Sequence, residues 1–438
     1  MSDTRASVTE EETGSQVGTY LRGAGLGDRN GPLTGAPRCP FRLRGSEPEG
    51  LSNAQEGEFL RMLGPAPAAE LPGGRARVVV DYDLALRLAA GPHVSRDARQ
   101  HWQHLPHAEG VLAAWTGTHN ALNSEGDDHK RFRAPISAAL SRRRVETMGP
   151  EIEAIVADAL ADVSGSSSVV DLVQAFALRV PTQVITRLLG VPEASLAAFQ
   201  TAAAGLFDTA AAPDEMAQSM MAVLGLLGQM VEEKRQSPGD DLVTDLIQAA
   251  DASEEALSDA ELRDQLMLIV IAGTETTVHA IGTLLVHLLS HPRQRRLILE
   301  GAATMEDALE ESLRLQPPVS AVPLRFAVND FTDPSSMESF ARGEEILIHI
   351  AATGRDPRVH DAPETFDVLR TTSRRHLAFG HGIHFCPGAP LARREVVIAV
   401  TKWLEAFPHC RLAVSEDELT LVPSFISNGF REIPVLLH

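Results

Sequence analysis

Cysteine is scarce in this chain: Cys39, Cys386 and Cys410 are the only three among 438 residues. Three cysteines build no disulfide framework, which points to a reducing compartment and a cytoplasmic setting. Positive charge is also short, with 39 Lys and Arg against 59 Asp and Glu and a net charge of −20. That balance argues against nucleic acid as a partner, because phosphate backbones require a basic surface. An unbroken membrane-spanning run is missing too. The one stretch long enough, Leu266 to Leu289, is interrupted by Glu275, His279 and His287. Ionisable side chains are costly inside a bilayer, so the stretch reads as a buried central helix and no membrane is expected. Residues 1–40 are polar and lack the order of a secretory signal. There are no internal repeats, no His-Glu-x-x-His, no Walker loop and no Gly-x-Ser-x-Gly elbow. The run Gly23 to Gly27 follows no strand and opens no helix, so it is not a dinucleotide fingerprint.

Apolar residues make up 44% of the chain, ample for a large core, while 22% charged residues is ordinary for a soluble globule. Residues 1–38 read as a disordered or irregular tail. From Asn53 onward the apolar spacing is mostly helical. Helices are expected near 127–140, 147–162, 170–189, 193–210, 214–236, 259–290, 292–300 and 304–315. Val78 to Val80 reads as a short strand before a helix carrying Leu84, Leu86 and Leu88. Prolines and β-like runs, notably Glu345 to Ile350, fill the stretch from Pro317 to Phe366, and the chain beyond Cys410 alternates as hairpins do. With no linker between two cores, residues 39–438 read as one mainly α domain with minor β sheets.

The most informative stretch is Phe379-Gly380-His381-Gly382-Ile383-His384-Phe385-Cys386-Pro387-Gly388, running into a helix-like segment from Leu391 to Ala406. A cysteine at a helix N-terminus faces unpaired N–H groups and the positive end of the macrodipole, a field that favours thiolate. A thiolate is both nucleophile and metal ligand. The glycines let the backbone wrap closely around something bulky. This loop resembles the haem-binding loop of the cytochromes P-450, and Ala389-Pro390-Leu391-Ala392-Arg393 follows it as in that family. The resemblance spans roughly Ala36 to His438 and implies the triangular-prism fold of the soluble bacterial members. It implies heme b (iron-protoporphyrin IX), with Cys386 as the metal ligand and Phe379, Gly380, His384 and Gly388 around the cofactor. The thiolate of that family favours O–O cleavage. Attachment is non-covalent, since Cys-x-x-Cys-His is absent. One departure is Pro387, which has no N–H and removes a backbone donor to the sulfur. That should leave the sulfur more electron-rich and lower the iron potential.

Helix 259–290 carries Ala272-Gly273-Thr274-Glu275-Thr276-Thr277. Glycine and β-branched residues are poor helix formers, and threonine hydroxyls can bond back to the i−4 carbonyl, so a local opening is expected there. The segment resembles the family's oxygen-activation motif. The resemblance assigns Glu275 as proton supplier, Thr276 as hydrogen-bond partner of O2, and Ala272 and Gly273 as the residues that leave room over the haem. Glu311-Ser312-Leu313-Arg314 places an acid and a guanidinium on one helix face. It resembles the family's buried ion-pair motif, with Arg355 as the further arginine. For the two propionates, which need cations or strong donors, the resemblance points to His129, Arg133, Arg325 and His384.

Arg131, Arg142, Arg143, Arg144, Arg374, Arg375, Arg393 and Arg394 are expected to form a basic patch that steers an acidic electron donor. The resemblance implies a ferredoxin and ferredoxin reductase, with NAD(P)H used indirectly through them. A small-molecule apolar substrate is expected against 92–115, Leu206-Phe207, Met216 to Met221, Leu268 to Thr276, Val319 to Val322 and Phe425-Ile426. The function implied is a haem-thiolate monooxygenase that hydroxylates or epoxidises a secondary metabolite. Oxidative coupling of aromatic substrates is the alternative on the same haem. A ligand-sensing haem protein is the non-enzyme alternative, which the Glu275-Thr276 pair disfavours.

Overall fold

The structure, a computed structural model, describes residues 41–42, 52–71, 74–103, 116, 118–165, 169–206, 213–252 and 257–438. The expected N-terminal tail therefore lies outside the described residues, as do residues 104–115 and Phe207 of the expected substrate segments. Strand β1 (Phe41–Arg42) precedes α1 (Asn53–Leu63), which starts at a capping box formed by Ser52 and Gln55. Strands β2 (Ala68–Leu71) and β3 (Gly74–Val79) lead to α2 (Tyr82–Ala90), capped by the Asp81 side chain. β4 (Val94–Ser95) and α3 (Ala98–His101) follow. Helices α4 (Gly126–Ala139), α5 (Arg142–Thr147) and α6 (Gly149–Val163) come next.

The helix expected over 170–189 is divided. Its first residues form β5 (Val170–Asp171), then a π-helical turn (Val173–Ala177), and only α7 (Arg179–Leu189) is α-helical. The cause is tertiary: Val170 is paired with Val435, so the C-terminal end of the chain captures the start of the segment. Then come α8 (Glu193–Leu206), α9 (Pro213–Gln236), α10 (Leu242–Asp251), α11 (Asp259–Ser290), α12 (Pro292–Leu299) and α13 (Met305–Leu315). The short elements β6 (Val322–Ala327), β7 (Phe331–Thr332), β8 (Ser339–Phe340), β9 (Glu345–Ile348) and α14 (Ile350–Thr353) occupy the proline-rich stretch. α15 (Ala389–Ala406), β10 (Arg411–Leu412) and β11 (Pro434–Leu436) finish the chain.

The main sheet runs β1-β2-β3-β9-β6-β4, with β1/β2 and β3/β9 parallel and the other neighbours antiparallel. β10 pairs with β11 across a connection of some twenty residues. The expected C-terminal hairpin is therefore a long closure, and the intervening loop reaches under Pro318 and Ser320.

Most of the core lies among the helices, centred on α11, which packs on α7, α9, α13 and α15. α11 is long and apolar enough to cross a membrane, but most of its apolar window is buried inside the protein. Its ends are set chemically, with a Ser258/Glu261 capping box at the start and Pro292 just after the end. α15 is anchored by Trp403, fully buried between Phe176 and Phe407 with ring centroids 4.8 Å away on each side. Truncating such a side chain costs about 3–5 kcal/mol. That anchor fixes the helix whose other end follows Cys386.

Candidate active site

The cysteine loop is shaped by two glycines in the left-handed region, Gly380 and Gly382, both at φ 73°. Other residues are strained there. The Cys386 N–H donates to the Phe379 carbonyl at 2.8 Å, and Gly380 N–H to the Leu377 carbonyl at 2.8 Å, closing the turn. A Cβ at Gly382 would stand 2.6 Å from the Ala89 carbonyl, so the loop lies directly on α2. Cys386 is half-buried as a residue. Burial pushes its thiol up, outweighing the Gly388 and Ala389 N–H groups and the charges of Arg133 and Arg393. The helix field therefore acts on the sulfur against burial, and a metal ion bound there would remove the proton outright. Two backbone donors thus act on the sulfur in spite of Pro387. Phe379 lies under the Arg393 guanidinium, 4.2 Å from its ring centroid.

Above the loop, α4, the sheet edge and the 3-10 turn Gly382–His384 bring together a buried cationic cluster. His129 and His384 stack edge to face at 4.6 Å. Arg325 sits in β6 just past a register irregularity that begins at Val322, the kind of feature that re-aims a side chain. A fourth member, Arg96, was not expected. β4 sets Ser95 opposite Phe326, and the same register carried one residue further sets Arg96 opposite Arg325. Like charges directly across a pair of strands repel. Both guanidinium groups are driven below their ordinary range, Arg96 by burial and then by Arg325, Arg325 by burial. Arg96 is 2% exposed and Arg325 4%.

One carboxylate, Glu125, serves this cluster. Burial works against its charge, yet it stays below the ordinary range because its Oε1 accepts His384 Nε2–H at 3.0 Å and the Arg96 amide at 3.0 Å. Burial holds His384 neutral, its imidazole lowered to about 4, so the His384–Glu125 contact is a neutral donor on a carboxylate. Arg96 Nε and Nη2, Arg325 Nη1 and His129 Nε2 are buried with no hydrogen-bond partner among the described residues. Two guanidinium groups against one engaged carboxylate call for an anionic ligand with more than one charge. The donor set fits the propionates of a haem.

Arg133 joins this cluster through its charge, which acts on His129. Its Nη2 donates to the Phe385 carbonyl and its Nε to Ser137 Oγ at 3.2 Å, so it braces the residue before Cys386. Arg96 left no trace in the sequence because its meaning comes from a strand register, which a lone arginine after a two-residue strand does not advertise.

On α11, Thr276 Oγ donates to the Ala272 carbonyl at 2.6 Å and Thr277 Oγ to that of Gly273 at 2.9 Å, the back-bonding that threonines favour. The helix nevertheless runs continuously from Asp259 to Ser290, so the expected opening is not formed. Gly273 also departs from expectation. A Cβ there would meet Ile185 Cδ1 of α7 at 2.6 Å, so this glycine admits a neighbouring helix. Ala272 is exposed, and Glu275 Oε1 accepts from Ser427 Oγ at 2.6 Å.

The buried ion pair is present with a different third member. Arg314 grips Glu311 at 2.8 and 2.9 Å, and Arg370 Nε adds a bond at 2.9 Å. Arg355 pairs with Glu364 at 2.8 Å instead. The backbone of Gly354 lies directly against the Arg314 carbonyl, where a Cβ would overlap it.

The expected basic patch is largely neutralised. Arg131 pairs with Glu261, Arg142 with Glu146, Arg144 with Asp245, and Arg393 with Glu310. Of the methionines expected near substrate, Met220 packs on the core while Met221 is 68% exposed; the side chains of Leu206 and Met216 lie outside the described residues. Phe425 and Ile426 are buried beside Ala321 and Leu324.

A mainly helical body with a cysteine loop ahead of a buried helix, and cations held apart from it, defines a class of oxidoreductase. The family model for cytochrome P450 matches residues 103–421, and the chain belongs to that family. As a member it is a monooxygenase of the haem-thiolate kind that uses O2. The chain is 35% identical over 407 residues to 2-hydroxy-5-methyl-1-naphthoate 7-hydroxylase of Streptomyces carzinostaticus, covering 91% of this chain and 98% of that protein. It is 36% identical over 384 residues to cytochrome P450 monooxygenase PikC of Streptomyces venezuelae, covering 86% and 89%. Among solved structures, CYP154A1 of Streptomyces coelicolor A3(2) superposes with a TM-score of 0.82 at 40% identity, covering 91% of this chain and all of that one.

Proposed function

We propose that this monooxygenase hydroxylates or epoxidises an apolar organic molecule of secondary metabolism, in the cytoplasm, with electrons from a ferredoxin and its NAD(P)H-dependent reductase. The observation that carries the reading is the buried cluster of Arg96, Arg325 and His129, with nitrogens free for an anion, in the same molecule as a cysteine loop leading into α15. Relatives named for hydroxylation of a naphthoate and for monooxygenation support the reaction type.

In this reading Cys386 would ligate the iron of heme b, within the loop formed by Phe379, Gly380, His384 and Gly388. Arg96, Arg325, His129, Arg133 and His384 would take the propionates, and Ala272 would border the cofactor. Haem, when bound, supplies the centre at which O2 is reduced, one oxygen atom passing to the substrate and the other leaving as water. The protein's part is positional and protic. Thr276, whose hydroxyl hydrogen goes to Ala272 O, has its oxygen free to accept a bond, and Glu275, a carboxylate at rest, would relay the proton to be delivered. Burial of Arg96 and Arg325 makes each bond to an anion strong, since charge-assisted bonds in a dry site are roughly twice as strong as neutral ones.

A carbon monoxide difference spectrum of the reduced protein tests the assignment. A thiolate-type Soret band is expected, and it should vanish in Cys386→Ala; a band that survives the substitution would overturn it. Turnover with isotopically labelled O2 should put one labelled atom in the product, whereas unlabelled coupled product would favour ring coupling.

A further inference from the structure

His279 is a buried titratable side chain that the mechanism above leaves unused. It is 8% exposed, one turn beyond Glu275 on α11, and the two share a helix face. Its Nε2 lies 3.5 Å from Glu275 Oε1, the same oxygen that accepts from Ser427 at 2.6 Å. A Cβ at Gly429 would overlap the imidazole ring, so His279 packs directly on the backbone of the C-terminal loop. Ser427 is equally fixed. Its amide donates to Ser424 Oγ at 3.0 Å, it bridges to Val319, and its neighbours bond to the 317–320 segment: Ser320 N–H to the Ile426 carbonyl at 2.7 Å and Asn428 N–H to the Pro318 carbonyl at 2.8 Å. Thr276, one residue on from the acid, lies about 100° around the helix and bonds to Ala272 instead.

We propose that Ser427 and His279 are positioning residues for Glu275, holding its carboxylate on the side of α11 that faces loop 424–429 and tying the proton it delivers to that loop. The inference rests on the reading of Glu275 as the acid of the site. The electrostatics agree with the geometry. Burial alone would push the Glu275 carboxyl up, but His279 and then Ser427 bring it below its ordinary range. Among the described residues no other titratable group acts on it: α7, α9, α10, α12, α13, α15, β10 and the π-helical turn, which pack on α11, contribute none. The carboxylate is thus held ionised by two residues that sit outside the motif containing it. One of them shares a short loop with Phe425 and Ile426, where substrate contact is expected.

The test uses full-length, haem-loaded protein and the variants His279→Asn and Ser427→Ala. Infrared titration of the Glu275 carboxyl band, with Glu275→Gln as the blank, reads ionisation without turnover. The pH dependence of the share of reduced O2 lost as peroxide reads coupling. A cationic partner at this distance, when present, moves a carboxyl by about one unit or more. The infrared midpoint of His279→Asn should therefore rise by about that much, Ser427→Ala should rise by less, and the peroxide profile should move with it. A midpoint that stays put in both folded variants overturns the proposal; should His279→Asn fail to fold, Ser427→Ala alone decides by the same criterion. If instead Glu275→Gln couples as well as the parent, the acid assignment fails, and the infrared midpoints still decide whether the clamp exists.

Discussion

Two buried polar clusters in this protein are alike in composition and opposite in state. Around Glu311, every group is satisfied. All five N–H donors of Arg314 are used: two on Glu311, the others on the carbonyls of Gly354, Pro363 and Thr365. Arg370 adds its own bonds to Glu311 and to the carbonyls of Ala362 and Thr365. Around Arg325, by contrast, two guanidinium groups face each other with one carboxylate already engaged, and several nitrogens are unpaired among the described residues. A closed network specifies the fold; an open one of a single sign specifies a ligand.

The largest effect should come from breaking the closed cluster. Arg314→Met leaves Glu311 charged, buried and half-paired, and removing one member of such a pair costs about 3–5 kcal/mol. Denaturant unfolding should show this loss with and without haem. Lysine should not rescue it, because a point charge cannot reproduce five donors in a planar fork. A loss seen only in the haem-bound form would mean the cluster belongs to the cofactor site after all.

Next in size is the open cluster, where the same kind of substitution should act in the opposite way. Arg96→Gln removes one of two repelling charges, so the haem-free chain should unfold no more easily than the parent. Haem should leave faster. A charge-assisted hydrogen bond is worth about 1.5–3 kcal/mol, roughly tenfold to a hundredfold in release rate. Transfer of haem to an acceptor apoprotein measures that rate. Unchanged release together with a large loss of stability would show that Arg96 is structural.

The contrast also explains what was legible in the sequence. Local signals carried furthest. The apolar spacing placed that helix at 259–290, where the structure bounds it with the Ser258 capping box and Pro292, and the glycine loop gave the cysteine its setting. Glu311 and Arg314 were readable because three residues of helix bring them together. Arg96 and Arg370 were not, since each depends on a partner far along the chain: Arg96 on strand register with β6, Arg370 on a loop folded back over α13. The divided 170–189 segment fails for the same reason, its start being taken by β11. Gly273 shows the remaining gap, for the motif foretold a small residue and not that Ile185 fills the space.

Glu395 sharpens the comparison from the acidic side. It lies on α15, 2% exposed, with Oε1 buried and unpartnered among the described residues. A guanidinium cannot give up its charge, so an open arginine cluster keeps calling for an anion; a carboxyl can simply keep its proton. Burial does that here, raising Glu395 to about 8 from an ordinary 4.5. Between those two values the folded chain holds a proton that the unfolded chain has released. Stability contributed by the neutral acid is therefore fully present below the lower value and is lost as pH rises toward the upper one. The slope is at most roughly 1.4 kcal/mol per pH unit. Glu395→Gln keeps the shape and removes the titration, so unfolding free energies measured across that window should fall with pH in the parent and stay flatter in the variant. Groups elsewhere titrate equally in both chains and cancel in the difference. Parallel pH profiles would mean that Glu395 is ionised in the folded protein and has a partner that compensates its charge, which would make it a closed site like Glu311.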